Sequence, residues 1–321
     1  MAAMLSRTAN ELYWMARHIE RAENTARLLD VTYRTSLLPY EPQEAGLAWA
    51  EPWAVPLIST GGATMYYKTY PELTPENVLK FMILDAGYPS SIYCCLRAAR
   101  ESARSVRGAI TSEMYEDLNS AWIEMRNHDY QRLQAMGVSG FLDWVKKRSH
   151  LFRGVTFGTM LRDEAYHFIR LGTHIERADN TARILDTKYH ILLPSAADVG
   201  GAVDYYQWAS LLQSLSGFES YRKIYSDVIS PRRVAELLVL RDDMPRSLHS
   251  CLNFIDDTLA ILCDDNSQEL RRQAGDLHAR LHFGRTDDII RYGLHEYLMD
   301  FLQRVSVLGE EISRRFLVPS Y

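Results

Sequence analysis

The chain has 321 residues, of which 47% are hydrophobic and 24% charged, and its net charge is −5. That length can bury a substantial core, and the mildly acidic balance excludes a general nucleic-acid binder, which needs a concentrated basic face. No apolar run approaches the roughly 18 residues of a membrane span, and the N-terminal stretch MAAMLSRTANELYW has no apolar signal core; Cys94, Cys95, Cys251 and Cys263 form no CxxC pair and read as reduced core residues of a cytoplasmic protein.

Segment 4–36 runs without Pro or Gly. Ile19, Ala22, Ala26, Leu29 and Tyr33 recur at helical steps and predict one apolar face, with a stop before Pro39. Residues 39–73 and 194–206 carry most of the Pro and Gly and are expected to be loops. Thr74-Pro75 and Ser230-Pro231 each set a hydroxyl cap before a proline at the first helical position. Helices are then expected at about 75–85, 90–109, 112–136, 141–157 and 160–191, with matching ones in the second half. No Val/Ile/Thr-rich alternating run predicts a strand.

The stretch HIERAENTARLLD from His18 returns from His174 as HIERADNTARILD, 156 residues later, with eleven of thirteen letters unchanged. The same offset relates Met4-Leu5 to Met160-Leu161, Pro89 to Pro245 and Cys95-Leu96 to Cys251-Leu252, while Trp53 meets Trp208 with a one-residue slip. The reading is a tandem duplication, about 4–159 and 160–316, folded as one all-α helical bundle over 1–321 with internal pseudo-twofold symmetry.

On a helical wheel, Arg17, Glu20, Arg21, Asn24 and Arg27 lie opposite the apolar face, and Glu176, Arg177, Asn180 and Arg183 repeat that row. A solvated surface tolerates exchange among polar residues at little cost, so letters that persist between halves point to something more. In one reading the two long helices pack together and Glu20 pairs with an Arg of the other copy while Glu176 does the reverse. In the other, the rows line a polar pocket for a small ligand. Glu20 and Glu176 are the candidate catalytic carboxylates, as general bases. His18 and His174 sit at the edge of the apolar face and read as packing residues. A second feature is not repeated: Arg97, Arg100, Arg104 and Arg107 form one helical stripe beside Glu101, where the second half has Asn253, Asp256, Ala260 and Cys263. The stripe is either an anion-contacting surface or an intramolecular salt-bridge lattice.

No P-loop, dinucleotide fingerprint or nucleophile elbow is present, so no cofactor is expected on this chain. Glu164–His167 is a lone ExxH. His278 and His282 stand one turn apart before Gly284, but no third ligand is evident, and no metal site is expected.

MLSRTANELYWMARHIERAENTARLLD, SSIYCCLRAARESARSVRGAITSEMYEDLN and the second HIERADNTARILD resemble the bacterial alpha-E family over essentially the whole chain, with Tyr115 where that family often has Trp. The resemblance implies an all-helical cytosolic protein that partners a circularly permuted ATP-grasp ligase, often near a transglutaminase-like protein. Its implied setting is ATP-dependent amide or peptide bond formation. Three roles stay open: an accessory substrate-binding subunit, a helical enzyme acting on an activated acyl or amide substrate, and a structural scaffold.

Overall fold

In a computed structural model, which describes residues 4–37, 52–190 and 200–318, the described residues form sixteen α-helices and no strand. The first, α1 (Ser6–Ser36), keeps the uninterrupted length expected of it. Its burial differs from the wheel, because every residue from Ala22 to Thr32 is buried on all sides. Four helices surround it: α5 (Ile92–Ser105), α8 (Val138–Thr159), α9 (Glu164–His190) and α10 (Ala202–Ser214). The polar row of α1 is therefore interior, and each of its charges needs a partner there.

The long helices α1 and α9 approach each other closely at Gly172, where a Cβ would stand 2.3 Å from the Tyr13 carbonyl oxygen. Only glycine allows that approach without backbone movement. The buried apolar side chains form one contiguous cluster drawn from both halves of the sequence.

Local chemistry sets the remaining boundaries. Thr74 and Ser230 accept from the backbone N–H of Asn77 and Arg233, at 3.1 and 3.4 Å, opening α4 (Pro75–Leu79) and α12 (Pro231–Ala235). Each continues as a π-helical turn, Lys80–Leu84 and Glu236–Leu240, where a plain helix to about 85 is expected from sequence. Ser91 and Ser247 cap α5 and α13 (Leu248–Leu262) in the same way. The expected 112–136 helix is two, α6 (Ser112–Met125) and α7 (Tyr130–Met136), because the Asp129 carboxylate takes the Arg132 N–H at 2.8 Å and starts a new helix. Helix α8 begins at Val138, right after Gly137 at φ +79, earlier than the expected 141. Helix α9 begins at Glu164 instead of 160, where Asp163 accepts from the Tyr166 N–H.

The two expected loops also need correction. Their parts at 39–51 and 194–199 lie outside the described residues. The rest of 39–73 folds into a 3-10 turn (Pro52–Ala54), α2 (Val55–Ser59) and α3 (Ala63–Thr69), and α10 already starts at Ala202. Helices α11 (Phe218–Tyr225), α14 (Gln268–His282), α15 (Thr286–Tyr292) and α16 (Leu294–Ile312) complete the chain.

Boundaries recur at the sequence offset: α4 and α12, and α7 and α15, start and end 156 residues apart. Before α4 and α12 the offset is 155. Ser59 and Ser214 end α2 and α10, and Gly61 and Ser216 both adopt positive φ, at 68 and 55. Gly62 and Gly217 then donate back to Leu57 and Leu212 at 2.8 and 2.7 Å.

Two glycines should respond oppositely to alanine. Gly172→Ala is expected to destabilise by about 1–3 kcal/mol through overpacking. Gly154→Ala, inside α8 with nothing within 4 Å of the new methyl, should stabilise by about 0.5–1 kcal/mol. Chemical denaturation of both variants checks the pair.

Candidate functional site

The two Glu-Arg dipeptides of the chain exchange partners across the α1–α9 contact. Arg177 donates to both Glu20 carboxylate oxygens, at 2.9 and 3.0 Å. Arg21 donates to both Glu176 oxygens, at 2.6 and 3.0 Å. Both are two-point guanidinium–carboxylate pairs, the strongest geometry for such a contact.

A second exchange sits nearly two turns further along. Arg27 donates to the Ser214 carbonyl oxygen and, at 3.1 Å, to Ser216 Oγ. Arg183 donates to the Ser59 carbonyl oxygen at 2.8 Å. Each also closes on the acid four residues before it, Arg27 on Glu23 at 2.7 Å and Arg183 on Asp179 at 2.7 Å. These arginines satisfy helix C-terminal carbonyls that the interior would otherwise leave unpaired.

Around this shared frame the halves differ. On the Glu20 side, Arg153 reaches Glu20 at 2.8 Å and Glu23 at 2.6 Å. Arg246 bonds Glu23, Glu20 at 3.2 Å and the Asn24 side-chain oxygen at 3.4 Å. Glu20, Glu23 and Arg246 are all buried. At the offset of 156, Arg153 is answered by Gly309 and Arg246 by Ser90. With those two side chains missing, a cleft of about 510 Å³ opens beside Glu176. Trp14, Arg17, Arg21, Asp179, Asn180 and Arg183 line it, with Ser90, Gly309 and Glu310 on the facing side. Arg17 takes part of the missing role, donating to Glu176 at 2.8 Å while lying over the Trp14 ring at 4.6 Å. The Asn180 side-chain oxygen, counterpart of the Asn24 oxygen that Arg246 satisfies, is buried with no partner among the described residues.

The electrostatics follow from burial and pairing. Burial alone would raise Glu176, but Arg21 and Arg17 outweigh it and hold the carboxyl at about 2. Burial would likewise raise Glu20, and Arg177, Arg153 and Arg246 hold it at about 2 against repulsion from Glu23. Neither carboxylate is tuned as a general base near neutral pH, for which a much higher value serves. Burial draws Arg246 down to about 10, so it keeps its charge at neutral pH. The two repeated histidines are packing residues. Burial lowers His18 to about 4 and His174 to about 3, and the His174 ring lies 4.4 Å from that of Phe254.

The sequence-predicted Glu20, Arg21, Asn24, Arg27, Glu176, Arg177, Asn180 and Arg183 come together here. The stripe of Arg97, Arg100, Arg104 and Arg107 does not. It lies on the outward side of α5 and just beyond it, with Arg100 on Asn119 and Glu101, Arg104 on Glu101 at 3.5 Å, and Arg107 over the Tyr115 ring at 4.2 Å. Arg97 reaches the Ala86 carbonyl and the Cys94 sulfur. Glu164 accepts from the Met4 backbone N–H at 3.0 Å. The expectation that His278 and His282 lack a third partner is corrected, because His249 on α13 stands beside them. Sequence reasoning also missed Glu23, Asp179, Arg153 and Arg246. The last two could have been found as charges present in one half and lost from the other.

The chain belongs to the Alpha-E family. The family model, described as a predicted alpha-helical domain with a conserved ER motif, matches residues 4–317. Glu20-Arg21 and Glu176-Arg177 are the two ER dipeptides in the sequence. No curated protein and no solved structure matches the chain. Among the described residues no helix is long and apolar enough to cross a membrane.

Acid should unfold this protein early. Glu20 and Glu176 sit below the ordinary 4.5 and His18 and His174 below the ordinary 6.5, so the unfolded chain binds protons more readily than the folded one at all four. Stability should therefore decline as pH drops below about 6.5 and steepen from about 4.5 towards 2. Denaturant titrations between pH 7.5 and 3, on the order of half-unit steps, read this directly. At neutral pH, Glu176→Gln leaves two guanidiniums unpaired and should lose about 3–5 kcal/mol. Arg104→Ala on the exposed stripe should change stability by less than about 0.5 kcal/mol.

Proposed function

We propose that this Alpha-E protein is an accessory binding subunit that works with an ATP-grasp ligase in ATP-dependent amide or peptide bond formation, in a reducing cytoplasm, and that the Glu176 cleft receives an amino-acid-like substrate. The observation that carries the binding role is the asymmetry at the central seam. Two arginines fill the Glu20 side, and a serine and a glycine leave the Glu176 side open. Selection for stability alone has no use for that opening, since burying the Asn180 oxygen without a partner costs about 1–3 kcal/mol.

The chemistry of the cleft suggests what enters it. In the Glu20 half, a guanidinium bridges an acid and the Asn24 amide oxygen. Its counterpart place is bordered by Asp179, the orphaned Asn180 oxygen and, at the rim, Glu310, which suits an ammonium group. Arg17 and Arg21, which also line the cleft, suit a carboxylate. A zwitterion matches both ends. The ligase and its transglutaminase-like neighbour rest on the family resemblance, and the missing phosphate-binding motif is consistent with a partner that binds the ATP.

The enzyme-alone reading is weaker, because both carboxylates sit near 2 and are held by arginines. The scaffold reading accounts for the Glu20 side and leaves the cleft unexplained.

Calorimetric titration of the protein with the common amino acids and glutamyl dipeptides tests the cleft. At least one should bind and ATP should not. Gly309→Met, whose new side chain starts in open space within α16, should weaken that binding by at least about tenfold with the thermal midpoint unchanged. No binding by any of them, or equal binding by the filled variant, overturns the substrate role. Purification from its own cells should bring an ATP-grasp protein along, and its absence under native conditions overturns the partnership.

A further inference from the structure

We propose that His249, His278 and His282 form a zinc-binding site, separate from the Glu176 cleft. Helix α13 supplies the first imidazole, and α14 supplies the other two from one face, four residues apart. One ring nitrogen from each lies within 4.8 Å of the other two. The ring centroids are 5.4 to 5.7 Å apart, so the three rings make a nearly regular triangle. Among the described residues no other group of three or more His, Cys, Asp or Glu side chains converges in this way.

The partners of the rings fix which nitrogens face inward. His249 Nδ1 is 2.7 Å from the Leu240 carbonyl oxygen. A carbonyl only accepts, so Nδ1 carries the proton and Nε2 presents its lone pair. That Nε2 is buried and has no partner, on a residue only 5% exposed. His278 Nε2 is 2.7 Å from the Asn253 side-chain oxygen; with the amide in that orientation, Nε2 carries the proton and the Nδ1 lone pair is free. An imidazole whose outer nitrogen donates to a carbonyl or amide oxygen and whose inner nitrogen is bare is the arrangement of a metal-bound histidine. His282, exposed at the end of α14, is the ring free to turn and complete the set. Three imidazoles, with the solvent side left to water, suit tetrahedral zinc, which binds nitrogen at about 2.0–2.1 Å.

Packing alone does not ask for histidines here. At the offset of 156 stand Tyr93, Trp122 and Arg126, and the Tyr93 and Trp122 rings pack edge to face at 5.0 Å. Aromatic rings thus meet the packing requirement in the first half. A metal ion in the second half would tie α14 to α13 and to the end of the Glu236–Leu240 turn.

The test uses untagged full-length protein stripped of metal, titrated with Zn(II) against a chromophoric chelator and with Co(II) followed in the visible region. One equivalent should bind, the Co(II) form should show the intense bands of tetrahedral coordination, and zinc should raise the thermal midpoint. His282→Ala removes an exposed ligand without opening the core, and should weaken zinc binding by at least about 100-fold. Asn253→Ala, which frees only the outer nitrogen of His278, should weaken it by about 10–100-fold. No uptake below a large excess, or uptake that His282→Ala leaves unchanged, overturns the site. Neither outcome bears on binding in the Glu176 cleft.

Discussion

The rest of the molecule depends on two carboxylates, Glu20 and Glu176, each gripped at two points by an arginine of the opposite long helix. A charge so deeply buried is tolerable only when paired and hydrogen-bonded. Each helix therefore requires the other at one register, since a shift of a single residue would part all four groups. Gly172 lets the backbones come near enough for the exchange, and the helices around α1 bury both carboxylates. Such a seam contributes specificity of packing more than raw stability. The same constraint accounts for the identical Glu, Arg and Asn letters in the two thirteen-residue blocks.

A seam satisfied twice over would be inert. Here it is satisfied differently on its two sides. Arg153 and Arg246 close the Glu20 side, whereas Gly309 and Ser90 leave a polar cleft beside Glu176. The His249–His278–His282 triangle shows the same pattern in another place, with aromatic packing in one half and three converging histidines in the other. In both cases the two halves place different residues at matching positions. The departures, more than the repeats, mark where chemistry is to be sought.

The long helices and the caps at Thr74 and Ser230 were legible in the sequence, and the reciprocal pairing of Glu20 and Glu176 was one of the two readings it left open, because these follow from local chemistry and a close internal repeat. The break at Asp129 was missed, since one capping carboxylate outweighed an otherwise continuous helical pattern. The wheel placed the polar row of α1 opposite its apolar face, but could not show that helices cover both faces. Arg246 and Arg153 were missed for a different reason. They lie 226 and 133 residues from Glu20 in the chain, and only the fold brings them together. His249 escaped likewise, contributed by a different helix from the His278–His282 pair.

The most direct measurement of the central seam is a double-mutant cycle between Arg21 and Glu176. Arg21→Met, Glu176→Met and the double variant would each be unfolded in denaturant at neutral pH. A paired, buried contact gives single variants that are each costly and a double variant much less costly than their sum, with a coupling of about 1–3 kcal/mol. Additive losses, with coupling near zero, would mean that the two residues do not meet, and the reciprocal seam would fall with them.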